Sequence, residues 1–295
     1  RMKNDNEMKV MKDGALQDRQ YFFGMPSGKY IEVLDAFTGT RVNSCETSSL
    51  PLVEFWQPEN LPQLETLLGK YLVDLDLETG LKVFECPTVP KRKGRVLGPA
   101  SMTDLMIIDN NWQIAIEAKY TEYVWGPAQT LGAWLVEKSF GVDIFKRRTI
   151  AKAWIDMIGS ATCTGLDSPN RYSKNCDFYT TCGTVGYQFL HRTASACLGT
   201  NGPEGRKPAL VYQLFYKQGD DAHIAKMEAF KDQLCDWAEL LKLKNMTFLI
   251  MSVPVTNASD VIAKYDGRKA DLFEEMKMRT IYTFDFDGLE IEKVL

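Results

Sequence analysis

The sequence predicts an α/β protein with a mixed central β-sheet flanked by helices. Two apolar runs, 105–108 and 114–116, flank a short polar turn and indicate a β-hairpin. Further along, 209–217 alternates as a strand does, and 247–255 is typical of a buried strand, with a long helical pattern between them. This order of elements indicates a sheet covered by helices. With 295 residues, of which 45% are hydrophobic, the chain can bury a sizeable core.

We expect two regions along the chain. Residues 1–58 are predicted to be an N-terminal addition, with a loosely packed polar arm over 1–20 and short strands between 20 and 43. Residues 59–295 are predicted to form the main domain, with an insertion around 160–206. Within that insertion, 162–183 is rich in Thr, Ser, Asn, Asp and Cys, a composition typical of loops.

Apolar residues at helical spacing predict the helices of the main domain. These helices are expected over 61–72, 128–140, around 150–158, and over 184–198 and 220–241. Near the end of the chain, Asp287 and Gly288 are a tight-turn signal between two short segments. We therefore expect a tail hairpin that pairs 280–285 with 290–295.

The charge and the cysteines place broad limits on function. The formal net charge is −4, which argues against a protein that coats nucleic acid without specificity, although a local basic patch can still bind phosphates. The seven cysteines lack CxxC spacing, so we expect reduced thiols in a cytoplasmic protein. Cys163, Cys176 and Cys182 lie close in sequence, but no histidine lies among them to favour a structural zinc.

Several other classes of protein are disfavoured by what the sequence lacks. No N-terminal apolar segment resembles a signal peptide, and no apolar run is long enough to cross a bilayer, so we expect no membrane partner. The nucleotide-binding, serine-hydrolase and zinc-protease patterns GxxxxGK[ST], GxGxxG, GxSxG and HExxH are also missing. The predicted hairpin therefore carries the one constellation with an evident mechanism.

The predicted hairpin gathers three charged side chains. If Asn110 and Asn111 form its turn, Asp104 faces Glu117, and Lys119 points to the same face as Glu117. Two opposed carboxylates destabilise an antiparallel pair unless something neutralises them. A shared Mg²⁺ would do so, because this cation binds oxygen ligands. Alternatively, Lys119 alone neutralises Glu117 as an ordinary ion pair.

Two basic runs and one polar helix stripe are further candidate contacts. The densest basic run lies just upstream of Asp104 and comprises Lys91, Arg92, Lys93 and Arg95. It is either a solvated loop or a contact for a phosphate backbone. A second basic cluster covers 146–148 and Lys152. On the later helix, Gln188 and Arg192 fall four residues apart and so share one face.

The segment 101–120 resembles the core of the PD-(D/E)xK, or restriction-endonuclease-like, nuclease superfamily. The resemblance rests on Thr103-Asp104, the hairpin, and the run from Ile114 to Lys119 that contains Glu-Ala-Lys. In order of elements it extends over 60–255. One position departs from the family pattern, because Thr103 stands where the motif has Pro.

The resemblance implies a restriction-endonuclease-like core and roles for individual residues. Asp104, Glu117 and the backbone carbonyl of Ala118 would hold Mg²⁺, with Mn²⁺ as a substitute, and Lys119 would orient the attacking water and contact the phosphate. A helix ahead of the hairpin often adds a metal-binding acid in this superfamily. Glu65 is the best-placed candidate for it, with Glu54 and Glu85 as weaker alternatives and a solvated surface glutamate as the plain explanation.

The resemblance also suggests that Gln188 and Arg192 match a Gln-xxx-Arg pair found near the active site in several branches of the superfamily; an ordinary exposed helix face is the alternative. We therefore expect a Mg²⁺-dependent endonuclease that hydrolyses DNA, with a role in restriction or phage defence by family habit and two copies pairing as a homodimer. The alternatives are a non-catalytic nucleic-acid-binding or scaffold protein on the same fold, and a metal-dependent RNase.

Overall fold

The structure is a computed structural model that describes residues 9–12, 15–18, 33–34, 44–123, 130–136, 144–161, 185–198, 205–241 and 245–294. The strands are β1 (Lys9–Lys12), β2 (Ala15–Asp18), β3 (Leu81–Thr88), β4 (Lys91–Arg92), β5 (Arg95–Val96), β6 (Ser101–Ile108), β7 (Trp112–Lys119), β8 (Lys207–Lys217), β9 (Thr247–Val255) and β10 (Glu290–Lys293). The helices are α1 (Ser49–Phe55), α2 (Leu61–Gly69), α3 (Leu131–Val136), α4 (Ile144–Ala161), α5 (Tyr187–Ala196), α6 (Asp221–Leu241), α7 (Ala258–Tyr265) and α8 (Lys269–Met278).

Six of the strands form a mixed sheet in the order β10-β9-β8-β7-β6-β3. Strands β3, β6 and β7 are antiparallel, β7, β8 and β9 are parallel, and β10 returns antiparallel to β9. Strand β7 therefore joins the antiparallel half of the sheet to the parallel half. The predicted α/β class, with a mixed central sheet flanked by helices, is confirmed.

Two hydrophobic cores cover the two faces of the sheet. One core contains Ile114, Ile116 and Ala118 of β7 together with apolar residues of α1, α2, α7 and α8. The other contains Ala115 of β7 and apolar residues of α3, α4, α5 and α6. Because side chains alternate along a strand, Glu117 and Lys119 share the second face with Ala115. We call this face, which carries α5, the α5 face.

The N-terminal region differs in part from its prediction. Strands β1 and β2 pair antiparallel, with Lys9 opposite Asp18, so the segment expected to be a loosely packed arm contains two short strands. Its loose packing stays a prediction. Short strands were expected over 20–43; residues 33–34 are helical instead, and the rest of that range lies outside the described residues. Helix α1 packs into the first core, and Trp56 donates a hydrogen bond to Gln213 of β8 at 2.8 Å. The boundary near residue 58 stays a prediction.

The central hairpin is confirmed in position and register. Leu105 pairs with Ile116 and Ile108 with Gln113, which is the register expected when Asn110 and Asn111 form the turn. Asp109 fixes that turn, because its Oδ1 accepts hydrogen bonds from the N–H groups of Asn111 and Trp112. Its Oδ2 accepts the Asp76 N–H at 2.9 Å, which ties the turn to the loop before β3.

The tail hairpin predicted around Asp287-Gly288 is wrong. Strand β10 pairs with β9, with Glu290 opposite Ser252, and Phe284 bridges Val255 at the end of the same strand. Asp285 accepts hydrogen bonds from the N–H groups of Asp287 and Gly288, which turns the chain locally. Both flanks of this turn therefore join β9 and not each other.

The remaining sequence predictions agree with the structure where residues are described. Helices are present at the start of 61–72, within 128–140, and across 150–158, 184–198 and 220–241. The loop predicted over 162–183, with Cys163, Cys176 and Cys182, lies outside the described residues. Among the described cysteines, Cys45, Cys86 and Cys197 are buried and Cys235 is exposed. No helix in the described ranges is both long enough and apolar enough to cross a membrane.

Candidate functional site

The candidate site lies where the pairing between β6 and β7 ends. The last paired residues are Leu105 and Ile116, and one step further Asp104 stands across from Glu117. There Asp104 Oδ2 accepts the backbone N–H of Ala118 at 2.8 Å. Lys119 Nζ donates to Glu117 Oε1 at 2.8 Å. The three residues predicted from the hairpin are therefore gathered at one end of the two strands.

Helix α5 covers this end of the hairpin. Gln188 and Arg192 are one turn apart on α5, and both donate to Glu117: Gln188 Nε2 to Oε1 and Arg192 Nε to Oε2. The Glu117 side chain is 1% exposed and its carboxylate thus accepts from three side chains, including Lys119. The predicted alternative of an exposed helix face is therefore wrong for Arg192, which is buried.

Two further residues extend this network, and the sequence analysis missed both. Arg192 Nη1 donates to Ser101 Oγ at 2.6 Å, and Ser101 lies 2.7 Å from His191 Nδ1. Ser101 Oγ accepts from Arg192 and still has an O–H group and a second lone pair, so the direction of its hydrogen bond with His191 follows the tautomer of the ring. The pKa of His191 lies well below its usual value because of burial and the charges of Arg192 and Lys119, which fits a neutral ring. No sequence signal links Ser101 to a helix some 90 residues later.

The two carboxylates differ in their ionisation. Burial and the Glu117 charge raise the pKa of Asp104 well above its usual value. For Glu117, burial also opposes ionisation, but the charges of Arg192 and Lys119 outweigh it and lower the pKa. Burial would lower the pKa of Arg192, yet Glu117 and Asp104 together raise it. Glu117 is therefore the ionised carboxylate, and Asp104 is the one that more readily holds a proton.

The donor set fits a hard divalent cation in ligand type. Asp104 Oδ1 makes no hydrogen bond to any described residue, so this oxygen is available to a cation. Glu117 offers a second carboxylate, but its two oxygens already accept from Lys119, Gln188 and Arg192, so a cation there must replace one of these donors. No group of three or more His, Cys, Asp or Glu residues suited to a metal is present within the described ranges.

The three acids considered as additional ligands lie in different places. Glu65 accepts the Leu77 N–H at 2.6 Å, close to the turn end of the sheet and not to its Asp104 end. Glu54 is buried and accepts hydrogen bonds from the N–H groups of Ile281 and Tyr282. Glu85 lies opposite Asp104, since Phe84 pairs with Leu105 and Cys86 with Thr103.

Glu85 also differs in its backbone and in its electrostatic effect. Its φ of 51° is unusual for a non-glycine residue in a strand. The pKa of Asp104 is raised mainly by burial and by the charge of Glu117, and the charge of Glu85 raises it further. Of the three acids, Glu85 is therefore the one associated with the candidate site.

The upstream basic run forms a small hairpin outside this network. Strands β4 and β5 pair Lys91 with Val96 and Arg92 with Arg95, and the tip is Lys93-Gly94. Lys93 and Arg95 are exposed, and Lys91 is partly buried. The residues predicted to bind nucleic acid are thus divided between the interior of the site, at Gln188 and Arg192, and the surface of the hairpin.

One protein family matches the chain. The family model described as "Domain of unknown function (DUF6946)" matches residues 34–251, about three quarters of the chain. Searches of the curated proteins and of the solved structures each found no match. The matched span includes every residue of the candidate site, from Ser101 to Arg192. The chain therefore belongs to the DUF6946 family, whose function is unknown.

Proposed function

We propose that the chain is a divalent-metal-dependent nuclease that hydrolyses phosphodiester bonds in DNA. The observation that supports this most directly is the convergence of Asp104, Glu117 and Lys119 at one end of the β6–β7 hairpin, beneath Gln188 and Arg192. The three motif residues were predicted as a set from the sequence, and two oxygen-rich side chains beside two cations suit a metal and a phosphate together.

In this proposal the carboxylates of Asp104 and Glu117, with the Ala118 carbonyl, would hold the cation. Bound Mg²⁺ supplies Lewis-acid chemistry and makes a bound water a better nucleophile near neutral pH. Lys119 orients that water and contacts the scissile phosphate. Arg192 stabilises the charge that develops on the phosphate oxygens, because its guanidinium is a rigid donor for such groups. Gln188 holds the Glu117 carboxylate in place from α5.

A second candidate is a non-catalytic nucleic-acid-binding protein on the same fold. One observation favours it: the charge of Glu117 is already matched by Lys119 and Arg192, and its carboxylate accepts from these two residues and from Gln188. Such a balanced cluster is stable without a metal. A metal-dependent RNase would use the same residues as the DNase and differs only in substrate.

Cleavage assays distinguish these candidates. Wild-type protein is incubated with supercoiled plasmid, linear duplex, single-stranded DNA and RNA, each with Mg²⁺, Mn²⁺ or EDTA. We expect DNA cleavage with either metal and none in EDTA. Asp104→Asn and Lys119→Met should each reduce the rate by on the order of 100-fold or more, because each removes a group that acts on the transition state. The matched controls Asp232→Asn and Lys70→Met change exposed residues and should cleave as the wild type does.

A binding measurement separates a missing metal from a missing reaction. Mn²⁺ should raise the thermal midpoint of the wild type in a concentration-dependent way, since a ligand of the folded state stabilises it. The midpoint of Asp104→Asn should respond less. Cleavage that persists in EDTA or in Asp104→Asn would refute the nuclease. Duplex binding with neither a Mn²⁺ response nor cleavage would favour the non-catalytic candidate, and cleavage of RNA alone would favour the RNase.

A further inference from the structure

Two segments of this acidic chain carry only positive charge. Residues 86–103 contain four Lys or Arg and no Asp or Glu, and so do residues 144–152. The chain as a whole has a formal net charge of −4. Positive charge is therefore concentrated in two short segments, one in the β4–β5 hairpin and one in the first half of α4.

The structure brings these two segments together. Helix α4 contacts β4, and the chain leaving the hairpin touches α4 at Gly98, where an added Cβ would lie 3.0 Å from Ile150 Cδ1. At the hairpin tip, Lys93 and Gly94 have φ values of 49° and 76°. Two successive positive φ values are typical of a type I′ turn, which makes a tight two-residue connection. Lys93 is thus presented at the tip of an ordered turn.

Four of the cations face solvent and have no acidic partner among the residues that the structure describes. Lys93, Arg95, Lys146 and Arg148 are exposed, and none forms an ion pair with a described residue. We call these four residues the basic surface. Arg147, between two of them, is instead buried and donates to the Trp134 carbonyl of α3. The run 146–148 therefore places one cation inside and two outside.

In the C-terminal region, by contrast, exposed cations are paired with acids. There Lys264, Arg268, Lys277 and Arg279 each form an ion pair with a nearby Asp or Glu. Exposed cations that lie close together without acids repel one another, and the repulsion is relieved by an anion. The contrast within one chain indicates that the basic surface is arranged for an anionic partner.

The basic surface lies on the α5 face of the sheet. Helix α4 packs against α5, where Trp154 Nε1 donates to Tyr187 Oη at 3.1 Å. The β4–β5 hairpin leads directly into β6, whose first residue, Ser101, accepts from Arg192 of the candidate site. A long anion that contacts the hairpin and α4 is thus also close to Asp104 and Glu117.

We propose that the basic surface binds the phosphate backbone of duplex DNA and directs it into the candidate site. This inference rests on the nuclease proposal for the identity of the anion. Duplex is favoured over single strands because proteins bind single strands by stacking bases on exposed aromatic rings. The large hydrophobic residues exposed within the described ranges are Val73, Val96 and Met278, none of them aromatic.

The test measures DNA binding in an Asp104→Asn background, so that cleavage does not interfere. The neutralised variant carries Lys93→Asn, Arg95→Gln, Lys146→Gln and Arg148→Gln. Asn is chosen at position 93 because Asn-Gly is the preferred type I′ sequence, so the charge is removed while the turn is kept. The control variant removes four exposed cations elsewhere, at Lys70, Lys226, Arg268 and Lys293, each to Gln. Both variants lose the same net charge.

Fluorescence anisotropy with a labelled 20-base-pair duplex is measured over a series of NaCl concentrations. Log affinity falls as log salt rises, and each phosphate contact adds about 0.9 to the steepness of that fall. The slope of the neutralised variant should therefore be shallower by about 3 to 4. Its affinity at low salt should fall at least roughly tenfold. The control variant should keep the slope of its parent.

The outcomes separate this inference from the nuclease proposal. The proposed role of the basic surface is wrong if the slope is unchanged in the neutralised variant, or if the control variant loses as much slope. This holds even if the wild type cleaves DNA. Tighter binding of a single strand, of RNA or of anionic lipid vesicles than of the duplex also overturns it. Conversely, a wild type that never cleaves but whose duplex binding depends on these four cations supports the basic surface and refutes the nuclease.

Discussion

Glu117 is the residue at which the charges of the candidate site meet. Its buried carboxylate accepts from Lys119, Gln188 and Arg192, while Asp104 stands across the hairpin. The sequence predicted Asp104, Glu117 and Lys119 together because a turn of known length fixes the register, and the register fixes the face. It did not predict that Arg192 would bind Glu117, since no local rule relates a strand to a helix so far along the chain.

Removing Arg192 should destabilise the fold because it leaves Glu117 buried with Lys119 as its one cation. We expect Arg192→Gln to reduce the free energy of unfolding by about 3 kcal/mol. Adding Glu117→Gln should recover part of this loss, with a coupling of about 1 to 3 kcal/mol. Urea denaturation of the two single variants and the double variant measures the coupling. Additive losses would show that the two side chains do not depend on each other.

The exposed pair Arg268–Asp271 is the matched control for this cycle. Its atoms are 2.7 Å apart, yet both side chains are more than half exposed. Arg268→Gln should change the unfolding free energy by less than about 0.5 kcal/mol, because solvent screens such pairs.

At the scale of elements, the two hairpin predictions had opposite outcomes. Asn110-Asn111 lies between strands that are long enough to pair with each other, and Asp109 fixes the turn with its own side chain. Asp287-Gly288 lies beside the edge of β9 that does not pair with β8, and this edge offers partners to both flanks. A turn signal predicts where the chain bends, but competing strand edges decide what the flanks pair with.

Asp109→Ala tests how far the central turn supports the site. The substitution removes the acceptor for the N–H groups of Asp76, Asn111 and Trp112. We expect a loss of about 3 kcal/mol in the free energy of unfolding, measured by urea denaturation. Asp109→Asn keeps one carbonyl oxygen and should lose less. An alanine variant as stable as the wild type would mean that strand pairing alone determines the turn.

At the scale of the whole molecule, the sequence predicted the class of the sheet but not its order. Hairpins fix β6 beside β7, whereas the parallel neighbours β7 and β8 are separated by 120–206 in the chain. Which strands become neighbours across such a connection depends on how the helices pack. For the same reason, no sequence signal showed that Glu54, placed in the predicted N-terminal addition, binds the N–H groups of Ile281 and Tyr282.

Glu54 makes the stability of the whole molecule depend on pH. Burial raises its pKa from 4.5 to about 7, although the hydrogen bonds from Ile281 and Tyr282 favour the charged form. Between these two values the folded chain binds more protons than the unfolded chain, so stability falls as pH rises. The difference corresponds to about 3 kcal/mol.

Urea denaturation between pH 4.5 and pH 8 measures this effect. Relative to Glu54→Gln, the wild type should lose about 3 kcal/mol of unfolding free energy across the interval. The amide variant also loses one acceptor for a backbone N–H, which adds an offset that does not vary with pH. A difference that stays constant across the interval would contradict the raised pKa. The exposed control Glu59→Gln should match the wild type within about 0.5 kcal/mol.

Strand β7 is buried on both faces, and the two faces carry incompatible chemistry. Ile114, Ile116 and Ala118 fill an apolar layer, while Glu117 and Lys119 point to α5. Deleting one residue between Trp112 and Glu117 would turn the acid and the amine toward the apolar layer and the methyl groups toward Arg192. Strand β7 is thus far less tolerant of length changes than the loops around it. Insertions and deletions fixed during evolution should therefore avoid this strand.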